Sequence, residues 1–112
     1  MAQAQCLRIP LEPTEADAFV RWLRSLASRP EELRAALKAE GMLAELVFLE
    51  RNGDSQSIVL YTRAVDLAQA HQAFSTSEHA VDREMRDFQA RALRLGEATQ
   101  LEVLLEHGVP AG

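Results

Sequence analysis

The stretch Leu43–Arg63, LAELVFLERNGDSQSIVLYTR, decides the architecture. Two runs rich in aliphatic, aromatic and β-branched residues, 43–51 and 57–63, flank Asn52-Gly53-Asp54-Ser55-Gln56. Such runs around an Asn-Gly pair read as two strands joined by a hairpin, because the pair tolerates the positive φ of a tight reversal.

On the N-terminal side, residues 5–11, QCLRIPL, alternate. Leu7, Ile9 and Leu11 point one way, Cys6 and Arg8 the other, as in a half-buried strand. Pro10 and Pro13 confine it to an edge or end it early. Thr14 with Asp17 three residues on reads as a helix start. Ala16, Phe19, Leu23, Leu26 and Ala27 then form one apolar stripe, with Trp22 at its margin. Pro30, followed by Glu31 and Glu32, restarts the helix: proline fits the first helical position and the acids fit the positive dipole end. Leu33, Ala36 and Leu37 carry its buried side, and Gly41 closes it.

On the C-terminal side, Val65-Asp66 leads into a short helix with Leu67, Ala70, His71 and Phe74. Ser75-Thr76-Ser77 interrupts it. SEHAVDREMRDF (77–88) opens the next helix, where Val81, Met85, Phe88 and Ala92 recur at helical spacing. Its outer charges predict Asp82–Arg86 and Arg83–Asp87 pairs at i, i+4. Gly96 stops this helix, and 99–106, TQLEVLLE, reads as a last strand. The order is β, broken α, β, β, broken α, β. That is an α+β, ferredoxin-like βαββαβ pattern: a four-stranded antiparallel sheet with helices on one face. The 112 residues suit a single domain, 1–112, with flexible ends expected at 1–4 and 108–112.

Composition narrows the function. Hydrophobic residues at 47% and charged residues at 26% fit a globular chain. A net charge of −5 argues against binding nucleic acid or anionic lipid, which clustered Lys and Arg would drive. No apolar run approaches a membrane span, and the N-terminus lacks a signal-peptide pattern. Cys6 is the only cysteine, so an intrachain disulfide is ruled out and a reducing, cytoplasmic setting is expected. Its expected role is that of a small hydrophobe.

A sheet covered on one side leaves its other face open. Alternation assigns Ala44, Leu46 and Phe48 to the helix side. It assigns Cys6, Arg8, Glu45, Val47, Leu49, Arg51, Val59, Tyr61, Arg63, Glu102 and Leu104 to the open face. Leu101, Val103 and Leu105 oppose those last two. The open set mixes too much apolar surface for water with too many charges for a core. Two copies pressing these faces together would bury the apolar part and enclose the ionisable part. The expectation is a homodimer through the sheet face, with Arg8, Glu45, Arg51, Tyr61 and Arg63 lining a ligand pocket. Planar guanidinium forks match carboxylates, so the ligand expected is small and anionic or hydroxyl-rich. The alternative is a non-enzymatic dimerisation or regulatory module whose charges form a structural ion-pair network. An RNA-binding sheet would need more strand aromatics than Tyr61.

The pattern resembles the dimeric α+β barrel group of ferredoxin-like proteins, which includes antibiotic-biosynthesis monooxygenase-like domains and rhamnose-type sugar mutarotases. The resemblance runs through CLRIPLEP, the Trp22 helix, RPEELRAALKAEG, the hairpin through Val65-Asp66-Leu67, and HAVDREMRDF. The last three together look most like an uncharacterised bacterial family of that group. The resemblance implies fold and dimerisation. It transfers no catalytic set, because the presumed cavity has Tyr61 and Arg/Glu pairs but no strand histidine.

Candidate catalytic residues are His79, Asp82 and Tyr61. His79 and Asp82 sit where a helix begins, so Asp82 can cap it and orient His79 as a general base. The plain alternative is an Asp cap beside a loop histidine. His71, His79 and His107 lie far apart in sequence, and no HxH, CxxC, GxGxxG, P-loop, GxSxG or HExxH pattern occurs. No metal and no cofactor are expected.

Overall fold

The computed structural model describes residues 2–108. β1 spans Gln3–Pro10, α1 Ala16–Ser25 with a 3-10 turn at Leu26–Ser28, and α2 Pro30–Ala39. β2 runs Met42–Asn52 and β3 Ser55–Ala64. α3 covers Leu67–Thr76, α4 Ala80–Arg91, and a 3-10 turn at Leu95–Glu97 precedes β4, Thr99–Leu101. The sheet order is β2-β3-β1-β4 with all neighbours antiparallel. This is the ferredoxin-like α+β fold. Among the described residues no helix is long and apolar enough to cross a membrane.

Local chemistry accounts for most boundaries. Pro30 opens α2 with Glu31 and Glu32 in its first turn. Gly41 ends it with φ of 71°, a value that side chains with a Cβ avoid. Asp66 caps α3 by accepting from the Gln69 amide at 3.0 Å. The first helix begins differently from its sequence signal. Glu15, not Thr14, holds the cap position, and no side chain caps it. Glu12 to Glu15 form a turn closed by the Glu15 amide on the Glu12 carbonyl at 3.0 Å, which uses up the residues before Ala16.

The core lies between the sheet and the helices. Phe19, Ile9 and Ile58 are its largest fully buried side chains. Phe19, Trp22 and Phe88 pack as a triangle with centroid separations of 5.2 to 6.1 Å. Leu11 and Leu93 bridge the end of β1 to the end of α4.

Two expectations change here. The last strand stops at Leu101, since only Thr99–Leu101 find ladder partners, on Cys6–Arg8. Residues 102–106, expected to continue that strand, lie outside secondary structure, and Leu104 and Leu105 are 87% and 85% exposed. At the other end, Gln3 and Ala4 are paired in β1 rather than loose, and the Gln3 side chain accepts from the Leu67 amide at 2.8 Å. The expectation of flexible ends at residue 1 and at 109–112 falls outside the described residues.

Candidate functional site

The register of the hairpin fixes which side chains meet. Gly53 and Asp54 form a two-residue loop between paired Asn52 and Ser55, with Gly53 at φ of 62°. From there the ladder sets Leu49 opposite Ile58, Val47 opposite Leu60, and Glu45 opposite Thr62. Ile58 and Thr62 are buried at 1% and 6% exposure, so this row faces the helices. The sequence-based parity of β2 is therefore inverted. Leu46 and Phe48 lie on the open face, 53% and 55% exposed, and Glu45, Val47 and Leu49 lie beneath the helices. Arg51 shares the parity of Glu45 but sits at the hairpin end, opposite Gln56 and exposed.

The open face keeps Cys6, Arg8, Val59, Tyr61 and Arg63. Leu46, Tyr61, Cys6 and Leu101 stand side by side across all four strands. Leu101 thus belongs to the open face, and Glu102 and Leu104 lie beyond the strand. Arg8 and Glu45, expected on one face, lie on opposite faces, and Arg8 donates from Nε to Glu50 Oε1 at 2.9 Å on the open side. Arg63 is exposed on the same face.

Under the helices lies a cavity of about 170 Å³. Its walls include Leu7, Leu60, Ala70, Phe74, Val81 and Met85, and three carboxyl side chains reach it: Glu40, Glu45 and Asp82. A second, wider groove of about 540 Å³ adjoins it between α1, α2 and β2. The two share Leu23, Leu26, Leu33, Leu37, Glu45 and Val47, so Glu45 stands at their junction.

Each carboxyl comes from a different element. Glu40 follows α2 as its C-cap, Glu45 lies on β2, and Asp82 sits in the first turn of α4. Glu40 and Asp82 are 7% and 6% exposed, and no other side chain or amide donates to Glu40 Oε2 or Asp82 Oδ2. Asp82 sits at the positive end of α4. Glu40 has the opposite placement, at a helix C-terminus. Burial pushes Glu40 up to about 8, reinforced by the charge of Asp82, a hydrogen bond with Asp82 and the charge of Glu45. Burial and then Asp82 also raise Glu45. Glu45 is the solvent-exposed member of the three. The arrangement offers a carboxyl held protonated, Glu40, beside a second carboxyl in an apolar enclosure. Such a pair can donate to a ligand, accept from it, or pass it a proton.

His79 and Asp82 do not form the expected dyad. His79 occupies the cap position of α4, is exposed, and makes no side-chain cap bond. Asp82 lies three residues into the helix and turns inward to the cavity. Nor does Asp82 pair with Arg86, which donates to the carbonyls of Phe74 at 2.6 Å and Ser77 at 2.8 Å. Asp87 pairs with Arg91 at 2.7 Å instead of Arg83. Tyr61 is on the open face, away from this site. Glu40 escaped sequence reasoning, and its one signal was an acid placed at the unfavourable end of a helix. Among the described residues no cluster of three or more His, Cys, Asp or Glu could hold a metal ion.

The cavity roof is held by a polar clasp. Glu84 on α4 accepts from the Trp22 indole at 2.8 Å and from Arg29 at 2.7 and 2.9 Å. Arg29 also donates to Glu32 at 2.8 Å. The clasp ties α4 to the junction of α1 and α2, whose residues line both cavities.

Residues 2–109 match the model of a family of unknown function, DUF6176. Among solved structures, the protein of unknown function NE2512 from Nitrosomonas europaea is 23% identical, covers 97% of this chain and 94% of its own, and superposes with a TM-score of 0.53. That likeness shows the fold. A protein assigned as an antibiotic biosynthesis monooxygenase from Bacillus cereus is 11% identical over 98% of each chain, with a TM-score of 0.44. No curated protein matches the chain.

Proposed function

The chain belongs to DUF6176, a family of unknown function, and we propose that it binds a small, largely apolar molecule with a hydrogen-bonding head between its helices and its sheet. The observation that carries this reading is the pair of buried carboxyls, Glu40 and Asp82, which have no donor beyond the one proton between them and face an apolar cavity. Buried polar atoms are ordinarily satisfied, and one left unpaired costs about 1–3 kcal/mol. A ligand that hydrogen-bonds to them recovers that cost. The adjoining groove gives its apolar portion somewhere to lie. Asp82 and Glu45 remain as site residues, joined by Glu40. The expectation of an anionic ligand rested on Arg8, Arg51 and Arg63, and none of these lines the cavity.

The proposal includes homodimerisation through the open sheet face. Leu46 and Phe48 are exposed there beside Val59, Tyr61 and Leu101, an apolar patch over two adjacent rows that water disfavours. Arg8, Tyr61 and Arg63 then serve the interface rather than the ligand.

A thermal-shift titration with octanol, a neutral probe with a single hydroxyl head, tests the binding reading. Stabilisation of the native chain, lost in Leu60→Phe, which fills the inner cavity, is the expected result. An equal shift in native chain and variant, or none in either, contradicts it.

A further inference from the structure

Building on the cavity as a ligand site, we propose that the head group it takes is a protonated amine, held between Glu40 and Asp82 with its apolar tail in the outer groove. The charge lining the inner cavity is one-sided. Glu40, Glu45 and Asp82 reach it from three elements, and neither Arg nor Lys is among its lining residues. His71 is the one basic side chain there, and it lies exposed on α3. The nearby guanidinium of Arg29 is committed to Glu84 and Glu32.

The two unpartnered oxygens sharpen the requirement. Glu40 Oε2 and Asp82 Oδ2 sit on side chains more than nine-tenths buried. Once Glu40 releases its proton to solvent both oxygens accept, and an ammonium has three donors and no acceptor. A hydroxyl can accept from protonated Glu40 and donate to Asp82, but it brings no positive charge to a lining that holds three carboxyls and neither Arg nor Lys. A carboxylate adds like charge to like charge. The ammonium also supplies the countercharge that a buried acid needs. Trp22 and Phe74 line the same space, and aromatic faces attract organic cations.

Two further features separate an amine from other cations. A metal ion needs several ligands in fixed geometry, and no such cluster of three is found among the described residues. An organic amine needs apolar wall for its carbon chain, which Leu23, Leu26, Leu33 and Leu37 provide along both cavities. Arg24 and Arg34 flank the outer groove only. They lie at the tail end of the ligand, so an anionic head would have to enter in the opposite sense.

Calorimetric titration of the full chain with octylamine, octanol and octanoate at pH 7.5 tests this, since the three are straight chains of eight carbons with different heads. Octylamine is expected to bind at least about tenfold tighter than octanol, and octanoate weaker than either, a tenfold step being about 1.4 kcal/mol. In Glu40→Gln, and separately in Asp82→Asn, the amine advantage is expected to fall below about threefold while octanol still binds. Circular dichroism establishes that each variant is folded, and two variants guard against the loss of one. Equal affinity for octylamine and octanol overturns the amine assignment and leaves the binding site standing. Tightest binding of octanoate overturns it in favour of Arg24 and Arg34. An amine advantage that persists in both variants places the amine elsewhere and overturns it too. Displacement of octylamine by zinc or magnesium ions would show an inorganic cation in its place. Binding of none of the three probes overturns the ligand site itself.

Discussion

Glu45 stands directly opposite Thr62 in the β2–β3 ladder, and Thr62 is buried beneath the helices. That one pairing turns a carboxyl expected on the bare face of the sheet toward the covered one. It converts a presumed interfacial pocket into an internal cavity, and it frees Leu46 and Phe48 to form the apolar part of the open face.

The buried acid pair makes stability fall with rising pH. Folding raises Glu40 from 4.5 to about 8, burial being the main cause. Between those values the folded chain binds more protons than the unfolded one. The stabilisation is complete below the unfolded value and is lost as pH rises through about 8. Urea unfolding across pH 5 to 9 is expected to show this decline. Glu40→Gln, which cannot ionise, is expected to flatten it and to be the more stable form at pH 9, by on the order of a few kcal/mol.

The clasp behaves in the opposite sense. Glu84 is held down to about 2, first by the hydrogen bond from Arg29 and then by that from Trp22. Its stabilisation is present above 4.5 and is lost as pH falls through about 2. The side chain is 37% exposed, so solvent screening reduces its worth. Glu84→Gln is expected to cost about 1 kcal/mol at pH 7 by urea unfolding, and less at pH 3.

The open face predicts an oligomer that one charge can break. Phe48 is 55% exposed and pairs with Val59 away from the core. Phe48→Glu is expected to leave the melting temperature of the subunit nearly unchanged and to convert a dimer to a monomer by light scattering at micromolar concentration. A native chain that is already monomeric would contradict the pairing of open faces.

Much of this architecture was legible in the chain. The order of elements, the restart at Pro30 and the close at Gly41 all follow from local rules that the fold obeys. The parity of β2 was not legible from hydrophobicity, because Leu46 and Phe48 on one side balance Val47 and Leu49 on the other. A strand apolar on both faces leaves the register to the turn. Treating 52–56 as a five-residue loop left that register open, whereas the two-residue Gly53-Asp54 loop sets Val47 opposite Leu60. Of the proposed site, Asp82 and Glu45 were readable as candidate residues, but not the side chains that the fold sets beside them. Glu40 belongs to the site because α2 ends where α4 begins to cover the sheet, a long-range meeting that no local pattern encodes.

Side-chain methyl NMR during an octanol titration tests the central claim most directly, because methyl groups report one face of the sheet at a time. A ligand between helices and sheet is expected to shift Val47, Leu60, Val81 and Met85, leaving Leu46, Val59 and Leu101 in place. Shifts confined to Leu46, Val59 and Leu101 would contradict it.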